Sequence, residues 1–391
     1  MPTDIEFIDS LILGLENYVV ENNFKGWDVF DGLNSKILQA LPFFNYPLIR
    51  LAWIQLFKRS PINLRKLLYV EKGANPKAHA LFILAYLNKY AYTGNLNYLR
   101  QAENLHRELI EFSNKDYGGL GFGYNFPWQA RAFYVPKFKP NMIVSIFAGL
   151  ASLELYKYSH SIKYLDISDK ICQFILKNLV LFENETTACF AYIPGEKAVV
   201  HNVNMLGAAY CAISGHFLSN SYYKKLSKKF MNYSVLSQRP DGAWVYGERN
   251  HHQFVDNFHT GYNLTALALY RKYTSDFGFD NALIKGLKYH LKNHFLEDGT
   301  PKYTDKRIYP IDIHCYSQLY ITKYFIGSFF NDDNSLLLKS TKSLLQNLYD
   351  KKRKYFYYQK YRHFTIKIPY IRWAQAWMFY SLTTYRKMIS E

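Results

Sequence analysis

The sequence contains few cysteines, prolines and glycines for its length. Only 4 Cys, 13 Pro and 20 Gly are spread over 391 residues, and no two Cys have the CxxC spacing of a metal or redox site. A disulfide framework and a long Pro-rich or Gly-rich linker are therefore excluded. We expect reduced thiols in a cytoplasmic protein, and the low Pro and Gly content favours long packed helices.

The sequence also lacks a long hydrophobic run. The stretch nearest to a transmembrane segment, 142–158, contains Glu154. Residues 1–20 place acids ahead of the first apolar stretch and offer no cleavage site of small residues. They therefore predict an amphipathic first helix and no signal peptide.

Motifs of several function classes are absent. The chain has no GxxxxGK[ST] phosphate loop, and the glycine-rich run at 118–123 does not follow a strand as a dinucleotide-binding loop would. HExxH and other zinc-ligand spacings are missing, as are RNA-recognition, zinc-finger and helix-turn-helix signatures. We therefore expect no cofactor, no metal and no nucleic-acid partner.

The sequence is rich in positive charge and in aromatic side chains. It carries 48 Lys and Arg against 31 Asp and Glu, a formal net charge of +17, together with 36 Tyr and 29 Phe. Such a charge favours anionic partners, such as a membrane surface or an acidic glycan, unless it merely reflects a Lys-rich and Tyr-rich genome. The basic residues form no long block, which argues against a nucleic-acid stripe.

Apolar residues recur at helical spacing along almost the whole chain. About a dozen helices are predicted, at 3–21, 46–57, 76–93, 97–113, 141–158, 161–179, 201–217, 220–235, 257–273, 280–295, 312–328, 333–349 and 370–386. Residues 189–194 and 355–366 predict short hairpin strands. The helices come in pairs without a repeat consensus, which favours a closed ring over an interaction solenoid. We predict an all-α (α/α) toroid of about six hairpins, as a single domain over residues 1–391.

The long loops before alternate helices carry the polar side chains. If these helices form the inner ring of a toroid, their N-termini converge and the loops line one pocket. Asp256 and His259 share a helical face by i, i+3 spacing. Asp312 and His314 repeat the idea, although their i+2 spacing is less good for a shared face, and both acids also suit helix N-caps. Imidazole suits proton transfer near neutral pH. The predicted catalytic residues are Asp256, His259, Asp312, His314, His201 and Tyr246.

Aromatic, amide and charged side chains of the same loops are the predicted substrate-binding residues. An aromatic ring offers the face of a sugar ring a flat apolar platform, and the polar groups suit its hydroxyls. The set comprises Trp27, Asp28, Tyr124, Trp128, Arg131, Asn202, Trp244, Asn257, Tyr309, Gln318, Arg372 and Trp373. Trp128 and Trp244 also suit a role as packing anchors between helices.

Residues 237–247 contain a motif that resembles the Q-x3-G-x-W repeat of terpenoid cyclases and their α/α-toroid relatives. Here it consists of Gln238, Gly242 and Trp244. In those proteins it clamps a helix end to the next turn, so the resemblance implies the fold. The aspartate-rich catalytic signature and the zinc ligands of the protein prenyltransferases are absent. A terpenoid-cyclase-like enzyme therefore remains only a second alternative function.

Nine stretches between residues 25 and 378, among them HNVNMLGAA, DNFHTGYNL and YIRWAQAWMF, resemble a bacterial family associated with cell-surface polysaccharide gene clusters. That family is similar to the six-hairpin glycosidases and the toroidal polysaccharide lyases. The resemblance implies a carbohydrate-active protein of cell-surface polysaccharide biosynthesis. Its partner would be a glycan or polysaccharide precursor, and peripheral association with a membrane or with glycosyltransferases would suit this role.

Three glycan chemistries suit these residues, and general acid/base catalysis is common to them. An inverting hydrolase needs two separated carboxylates, for which the candidates are Asp256 and Asp312. A lyase or uronate epimerase needs a group that neutralises the sugar carboxylate, such as Asn202, Asn257 or Arg372. It also needs a residue that removes the adjacent proton, such as His201, His259 or Tyr246. The alternative is a non-catalytic glycan-binding or scaffold protein.

Overall fold

The computed structural model describes residues 5–129, 134–327 and 334–391, and within them it contains fourteen α-helices. The helices are α1 (Ile5–Glu21), α2 (Lys36–Gln39), α3 (Pro47–Arg59), α4 (Pro76–Thr93), α5 (Leu96–Glu111), α6 (Met142–Ser159), α7 (Lys163–Asn178), α8 (His201–Phe217), α9 (Ser221–Leu236), α10 (Asn257–Thr274), α11 (Asp280–Asn293), α12 (Ile313–Ile326), α13 (Ser335–Asn347) and α14 (Trp377–Met388). A six-residue π-helix, Ile371–Ala376, leads directly into α14.

Six of these helices form a closed inner ring. Each of α4, α6, α8, α10, α12 and α14 contacts the next, and α14 returns to contact α4. The inner helices are apolar on nearly all faces, so that every residue from 76 to 89 of α4 is buried. The predicted all-α toroid is confirmed.

Six amphipathic helices form the outer layer. Helices α5, α7, α9, α11 and α13 each pack on the inner helix that precedes them in the chain, and α1 packs on α14. An outer helix buries a single stripe, as α5 does with Ala102, Leu105 and Leu109. The sixth hairpin therefore joins the first helix of the described chain to the last.

The N-termini of the inner helices lie at one end of the ring, because each outer helix returns the chain to that end. Polar side chains cap four of them. Asn75 caps α4, Asn141 caps α6, Asp256 caps α10 and Asp312 caps α12, each by accepting a hydrogen bond from an amide of the first turn. The polar loops predicted from the sequence therefore also have a structural role.

Short paired β-strands lie in the connections between the helices. The strands are β1 (Lys25–Gly26), β2 (Gly73–Ala74), β3 (Trp128–Gln129), β4 (Tyr134–Val135), β5 (Val180–Glu183), β6 (Ala188–Phe190), β7 (Ile311–Asp312), β8 (Tyr349–Asp350), β9 (Tyr355–Phe356), β10 (Gln359–Lys360) and β11 (Thr365–Ile366). The order β11-β10-β7 forms the largest sheet of the described residues, with three strands. Strands within both predicted hairpin regions, 189–194 and 355–366, are present.

The Q-x3-G-x-W motif forms the clamp that the resemblance implies. Gln238 Nε2 donates to the carbonyls of Gly242 and Ala282, both at 2.9 Å, and Trp244 Nε1 donates to the Ser234 carbonyl at 2.8 Å. The Trp244 ring is buried against Gly286 of α11. The clamp thus ties the end of α9 to α11, the next outer helix.

All four cysteines are free and buried. In the described part of the chain, every helix is too short or too polar to cross a bilayer.

Candidate active site

A narrow pocket lies between the N-terminal ends of α8 and α10. The residues that line it are Asn202, Trp244, Val245, Tyr246, Asp256, His259, Thr260 and Asn263. Five of the predicted site residues therefore meet here.

Asp256 and His259 form a hydrogen-bonded pair in the first turn of α10. Asp256 Oδ1 accepts from the His259 backbone amide at 3.0 Å, and Oδ2 lies 2.7 Å from His259 Nδ1. The carboxylate engages Nδ1 and leaves Nε2 as the ring nitrogen that a ligand could contact. Within the described residues Nε2 has no hydrogen-bond partner. The Asp256 side chain is 3% exposed and that of His259 is 23% exposed, so a ligand would reach the imidazole first.

Tyr246 packs beside this pair. Its ring centroid lies 4.6 Å from that of His259, and it stacks on Phe254 at 5.1 Å. Burial raises the pKa of the Tyr246 phenol, and the negative charge of Asp256 raises it further. The phenol therefore stays protonated near neutral pH and can donate a hydrogen bond.

Two amide oxygens of the pocket lining lack partners. Asn202 Oδ1 and Asn263 Oδ1 are buried and accept no hydrogen bond within the described residues. A buried acceptor without a donor costs free energy, and a bound donor removes that cost. The lining therefore suits a ligand with several hydroxyl groups.

His314 is buried among aromatic rings. Its Nε2 lies 2.8 Å from the Tyr262 hydroxyl, and its ring centroid is 4.6 Å from that of Trp377. Burial lowers the pKa of His314 well below its ordinary value, and the positive charge of Lys77 acts in the same direction. His314 is therefore neutral, and neither His314 nor Tyr262 lines the pocket.

Asp312 is completely buried and its carboxylate is fully engaged. Oδ1 accepts from the His314 amide at 2.8 Å and from Trp373 Nε1 at 3.0 Å, while Oδ2 accepts from Gln359 Nε2. Burial raises the pKa of Asp312, although these donors oppose the rise. Asp312 therefore caps α12 and has a structural role, and it does not line the pocket.

Arg372 and Asp28 form a buried bidentate ion pair on another side of the ring. Arg372 Nε and Nη2 donate to the two carboxylate oxygens of Asp28, both at 2.7 Å, and each side chain is 3% exposed. The guanidinium lies 4.8 Å from the Tyr124 ring centroid, within cation–π range. The π-helix carries Arg372 into this position.

A continuous series of side-chain contacts connects these groups. The Phe258 ring lies 4.3 Å from that of His259 and 4.9 Å from that of His314, and Trp373 lies 4.9 Å from His314. The Arg372 guanidinium lies 5.3 Å from the Trp373 ring centroid. The polar starts of α10 and α12 and the π-helix thus converge at one end of the ring, as the sequence predicts for a toroid.

Lys77 is a site residue that the sequence analysis missed. It lies in the first turn of α4, is 4% exposed, and its Nζ lies 4.5 Å from the Phe147 ring centroid and 5.0 Å from that of Trp377. It has no carboxylate partner within the described residues, and burial lowers its pKa well below the ordinary value. Helix α4 is apolar on all sides, so a lysine in its first turns must be buried. A lysine within such an apolar helix is the sequence feature that could have indicated Lys77.

The remaining predicted residues lie behind or beside the pocket. His201 is buried, with Nδ1 3.2 Å from Ser234 Oγ, and burial lowers its pKa. Asn257 donates to the His294 carbonyl, and Gln318 donates to Thr265 in the interface of α10 and α12.

Three aromatic residues of the predicted binding set lie further out. Trp27 donates to the Val70 carbonyl at 2.9 Å, Trp128 is half-buried with its ring 6.0 Å from that of Tyr192, and Tyr309 is 40% exposed. Arg131 falls outside the described residues.

No protein-family model and no curated protein matches the sequence. Among solved structures, the chain is similar to the cellobiose 2-epimerase of Bacillus thermoamylovorans, with 15% identity and a TM-score of 0.62 over 80% of this chain and 88% of that chain. It is similar to a GH76 α-mannanase of Bacteroides thetaiotaomicron, with 9% identity and a TM-score of 0.60 over 81% and 87% of the two chains. An unsaturated glucuronyl hydrolase specific for heparin gives 9% identity and a TM-score of 0.59 over 81% and 87%. The chain therefore has the fold of the six-hairpin glycosidase-like proteins, as the sequence resemblance implies.

Proposed function

We propose that this protein is a carbohydrate-active enzyme that moves a proton at a ring carbon of a glycan, as an epimerase or a lyase does. The observation that carries the proposal is the 2.7 Å contact between Asp256 Oδ2 and His259 Nδ1. A carboxylate that orients an imidazole makes its other nitrogen a general base near neutral pH. His259 Nε2 removes the proton, and the Tyr246 phenol donates a hydrogen bond to the substrate beside it.

Epimerisation and elimination both require a second proton-transfer group. The Tyr262 hydroxyl, hydrogen-bonded to His314 Nε2 at 2.8 Å, is the best-placed candidate within the described residues. Tyr262 donates its phenolic proton to the substrate, and the phenolate that forms accepts a hydrogen bond from the Nε2–H of the neutral His314 imidazole. In the reverse direction the phenolate takes a proton from the substrate. The Lys77 Nζ lies 5.8 Å from the Tyr262 ring centroid, so a proton taken up by this amine would stabilise a developing phenolate.

Hydrolysis by the Asp256 and Asp312 pair is less well supported. Both oxygens of Asp312 accept hydrogen bonds inside the site wall, and no bound water or sugar could reach them without breaking that wall. Both oxygens of Asp256 serve His259. An inverting hydrolase needs one of the two carboxylates free to activate water. A terpenoid cyclase would need an apolar pocket, whereas this lining is mainly polar.

The substrate is proposed to be an acidic glycan, such as one that contains a uronate. The chain has a formal net charge of +17, and the Arg372 guanidinium, paired with Asp28, lies near the candidate site. A sugar carboxylate adjacent to the reacting carbon also acidifies its proton. The resemblance to a cell-surface polysaccharide family favours a cytoplasmic role on a polysaccharide precursor, beside glycosyltransferases at the membrane.

The test is deuterium exchange into uronic-acid oligosaccharides in D₂O, followed by NMR, with ultraviolet absorbance to detect a new double bond. Asp256→Asn and His259→Ala should each lower the exchange rate by about 10²- to 10⁴-fold while glycan binding is retained. His251→Ala, which removes an exposed imidazole from the same loop, is the matched control and should behave as the wild type.

Two outcomes would contradict this proposal. Exchange at the wild-type rate in both variants would remove Asp256 and His259 from the chemistry. Release of new reducing ends without deuterium on carbon would indicate hydrolysis.

A non-catalytic glycan-binding role is the second candidate. The pocket is too narrow to enclose a sugar ring, which favours contact with a glycan that lies across its mouth. Saturable binding of glycans without exchange, elimination or hydrolysis would support this role.

A further inference from the structure

The segment 36–72 presents an unusual concentration of apolar side chains to solvent. Within the described residues 23 large hydrophobic side chains are exposed, and eight of them lie in this segment. They are Ile37, Phe43, Tyr46, Leu48, Leu56, Ile62, Leu67 and Tyr69. The segment covers less than a tenth of the chain, so the enrichment is several-fold, and we call these eight residues with the helix α3 the α3 surface.

Helix α3 faces solvent with an apolar stripe. Leu48 is 79% exposed and Leu56 is 50% exposed, and Ala52, also exposed, lies between them at i, i+4, i+8 spacing. The opposite face buries Ile54 and Phe57 against the body of the protein. An exposed apolar stripe opposite a buried apolar face is typical of an interaction surface.

The same segment is strongly basic. It contains seven Lys or Arg against one acid, Glu71. Arg59 and Lys66 are exposed in the same segment as the apolar stripe and Leu67. Lys36 and Lys72 are also exposed, although Lys36 pairs with Glu71 and Lys72 donates to Asn22. Interleaved basic and apolar side chains are typical of elements that lie in the plane of an anionic membrane surface.

We propose that the α3 surface docks the protein on an anionic lipid bilayer. The leucines of the stripe and Ile62 enter the boundary between headgroups and acyl chains, Tyr46 and Tyr69 lie at headgroup level, and the exposed basic residues contact lipid phosphates. A second copy of the chain is a poor occupant, because two surfaces with this excess of positive charge repel each other.

The docking segment is fixed to the wall of the candidate site. Arg65 Nε donates to Asp31 at 2.7 Å, and Arg65 Nη2 donates to the Asp28 carbonyl at 2.6 Å. Trp53 Nε1 donates to the Gly32 carbonyl at 3.0 Å. Since Asp28 also holds Arg372, membrane docking would bring the site wall to the bilayer, where lipid-linked glycans are accessible. The docking proposal itself needs no glycan and stands apart from the proposed function.

The test is co-sedimentation of the full chain with vesicles of phosphatidylcholine alone and of phosphatidylcholine with phosphatidylglycerol. The wild type should bind the anionic vesicles and bind less as salt screens the charges. Leu48→Glu with Leu56→Glu should reduce this partitioning by at least about tenfold, because both leucines leave the bilayer. Arg59→Gln with Lys66→Gln should reduce the preference for anionic over neutral vesicles.

The matched control is Ile162→Glu with Leu236→Glu, which changes two side chains that are 78% and 70% exposed outside the segment. It should bind vesicles as the wild type does, and circular dichroism should give the same melting temperature for all variants. The proposal is wrong if the Leu48 and Leu56 variant partitions as the wild type, or if the wild type does not prefer anionic vesicles. It is also wrong if sedimentation shows a wild-type dimer that this variant dissociates, since a second copy would then cover the surface.

Discussion

The two Asp–His pairs of the site look alike in sequence and differ at the scale of single atoms. Asp256 and Asp312 are both N-caps of inner helices, and each precedes a histidine. Asp256 is hydrogen-bonded to the ring of its histidine. Asp312 accepts hydrogen bonds from the backbone amide of His314 and from the side chains of Trp373 and Gln359, and it does not contact the His314 ring. The difference of one residue in spacing, i+3 against i+2, decides which imidazole a carboxylate can orient.

Replacement of Lys77 by methionine should stabilise the fold and impair the proposed reaction. The Lys77 amine is buried among aromatic rings without a carboxylate partner in the described residues, and burial lowers its pKa well below the ordinary value. A methionine of similar length fills the same space without desolvating a charge, so the free energy of unfolding at pH 7 should rise by about 1–3 kcal/mol. Urea denaturation measures it.

The sign of the pH dependence offers a control for this substitution. Below its ordinary pKa the lysine is protonated in the unfolded chain and largely unprotonated in the folded one, so unfolding takes up a proton. The advantage of Lys77→Met should therefore shrink as the pH rises towards 10. A variant less stable than the wild type at neutral pH would contradict this account and indicate that the aromatic cage binds the ammonium form.

At the scale of elements, the clamp around Gln238 and Trp244 makes the connection between α9 and α11 sensitive to a single methyl group. Gly242 has a φ of +96°, and a Cβ there would lie 2.4 Å from the Lys285 carbonyl oxygen. Gly242→Ala should lower the free energy of unfolding by about 2–4 kcal/mol, from backbone strain and the forced displacement of α11. Chemical denaturation followed by circular dichroism measures the loss.

Gly195→Ala is the matched control for that substitution. Gly195 has a φ of +85°, and a Cβ there would meet nothing within 4 Å. It should cost only the backbone strain, about 1 kcal/mol. Equal losses for the two variants would show that the contact between Gly242 and α11 contributes nothing.

The positions of the helices were largely predictable from the sequence, whereas the contacts of the side chains at the site were not. Each inner helix has an apolar periodicity that spans its observed length within a few residues, because packing in a ring requires it. The π-helix that turns Arg372 towards Asp28 has no sequence signal, since it depends on tertiary contacts. The sequence also suggested His201 as a base, although its ring lies buried against Ser234. The roles of the site residues and the single-domain prediction remain predictions.

At the scale of the whole molecule, buried neutral histidines should make the fold sensitive to mild acid. Burial lowers the pKa of His106 and His294 to about 4, and it also lowers the pKa of three other buried histidines. The five residues are His106, His201, His290, His294 and His314. The unfolded chain takes up these protons near pH 6.5, so this stability is complete above pH 6.5 and is lost as the pH falls towards 4.

Each of these histidines contributes up to about 1.4 kcal/mol per pH unit to the slope of stability against pH. The carboxyls of Asp31 and Asp312, whose pKa values burial raises, bind protons in the folded state over part of the same range and offset some of it. His106→Gln should reduce the slope by roughly one such unit, and His251→Gln, at an exposed position, should leave it unchanged. Thermal melts from pH 7 to pH 4.5 measure the slopes, and an unaltered slope in His106→Gln would refute the assignment.

The pairing of α1 with α14 also affects the order in which the helices can pack during synthesis. Helix α1 is synthesised before the other helices of the described ring, and its partner α14 is synthesised after them. The apolar stripe of α1 consists of Ile8, Leu11, Ile12, Leu15 and Val19. The growing chain can form the intermediate hairpins one after another, but it holds this stripe uncovered until translation of α14 is complete. We therefore expect chaperones to bind the nascent α1 until α14 closes the ring.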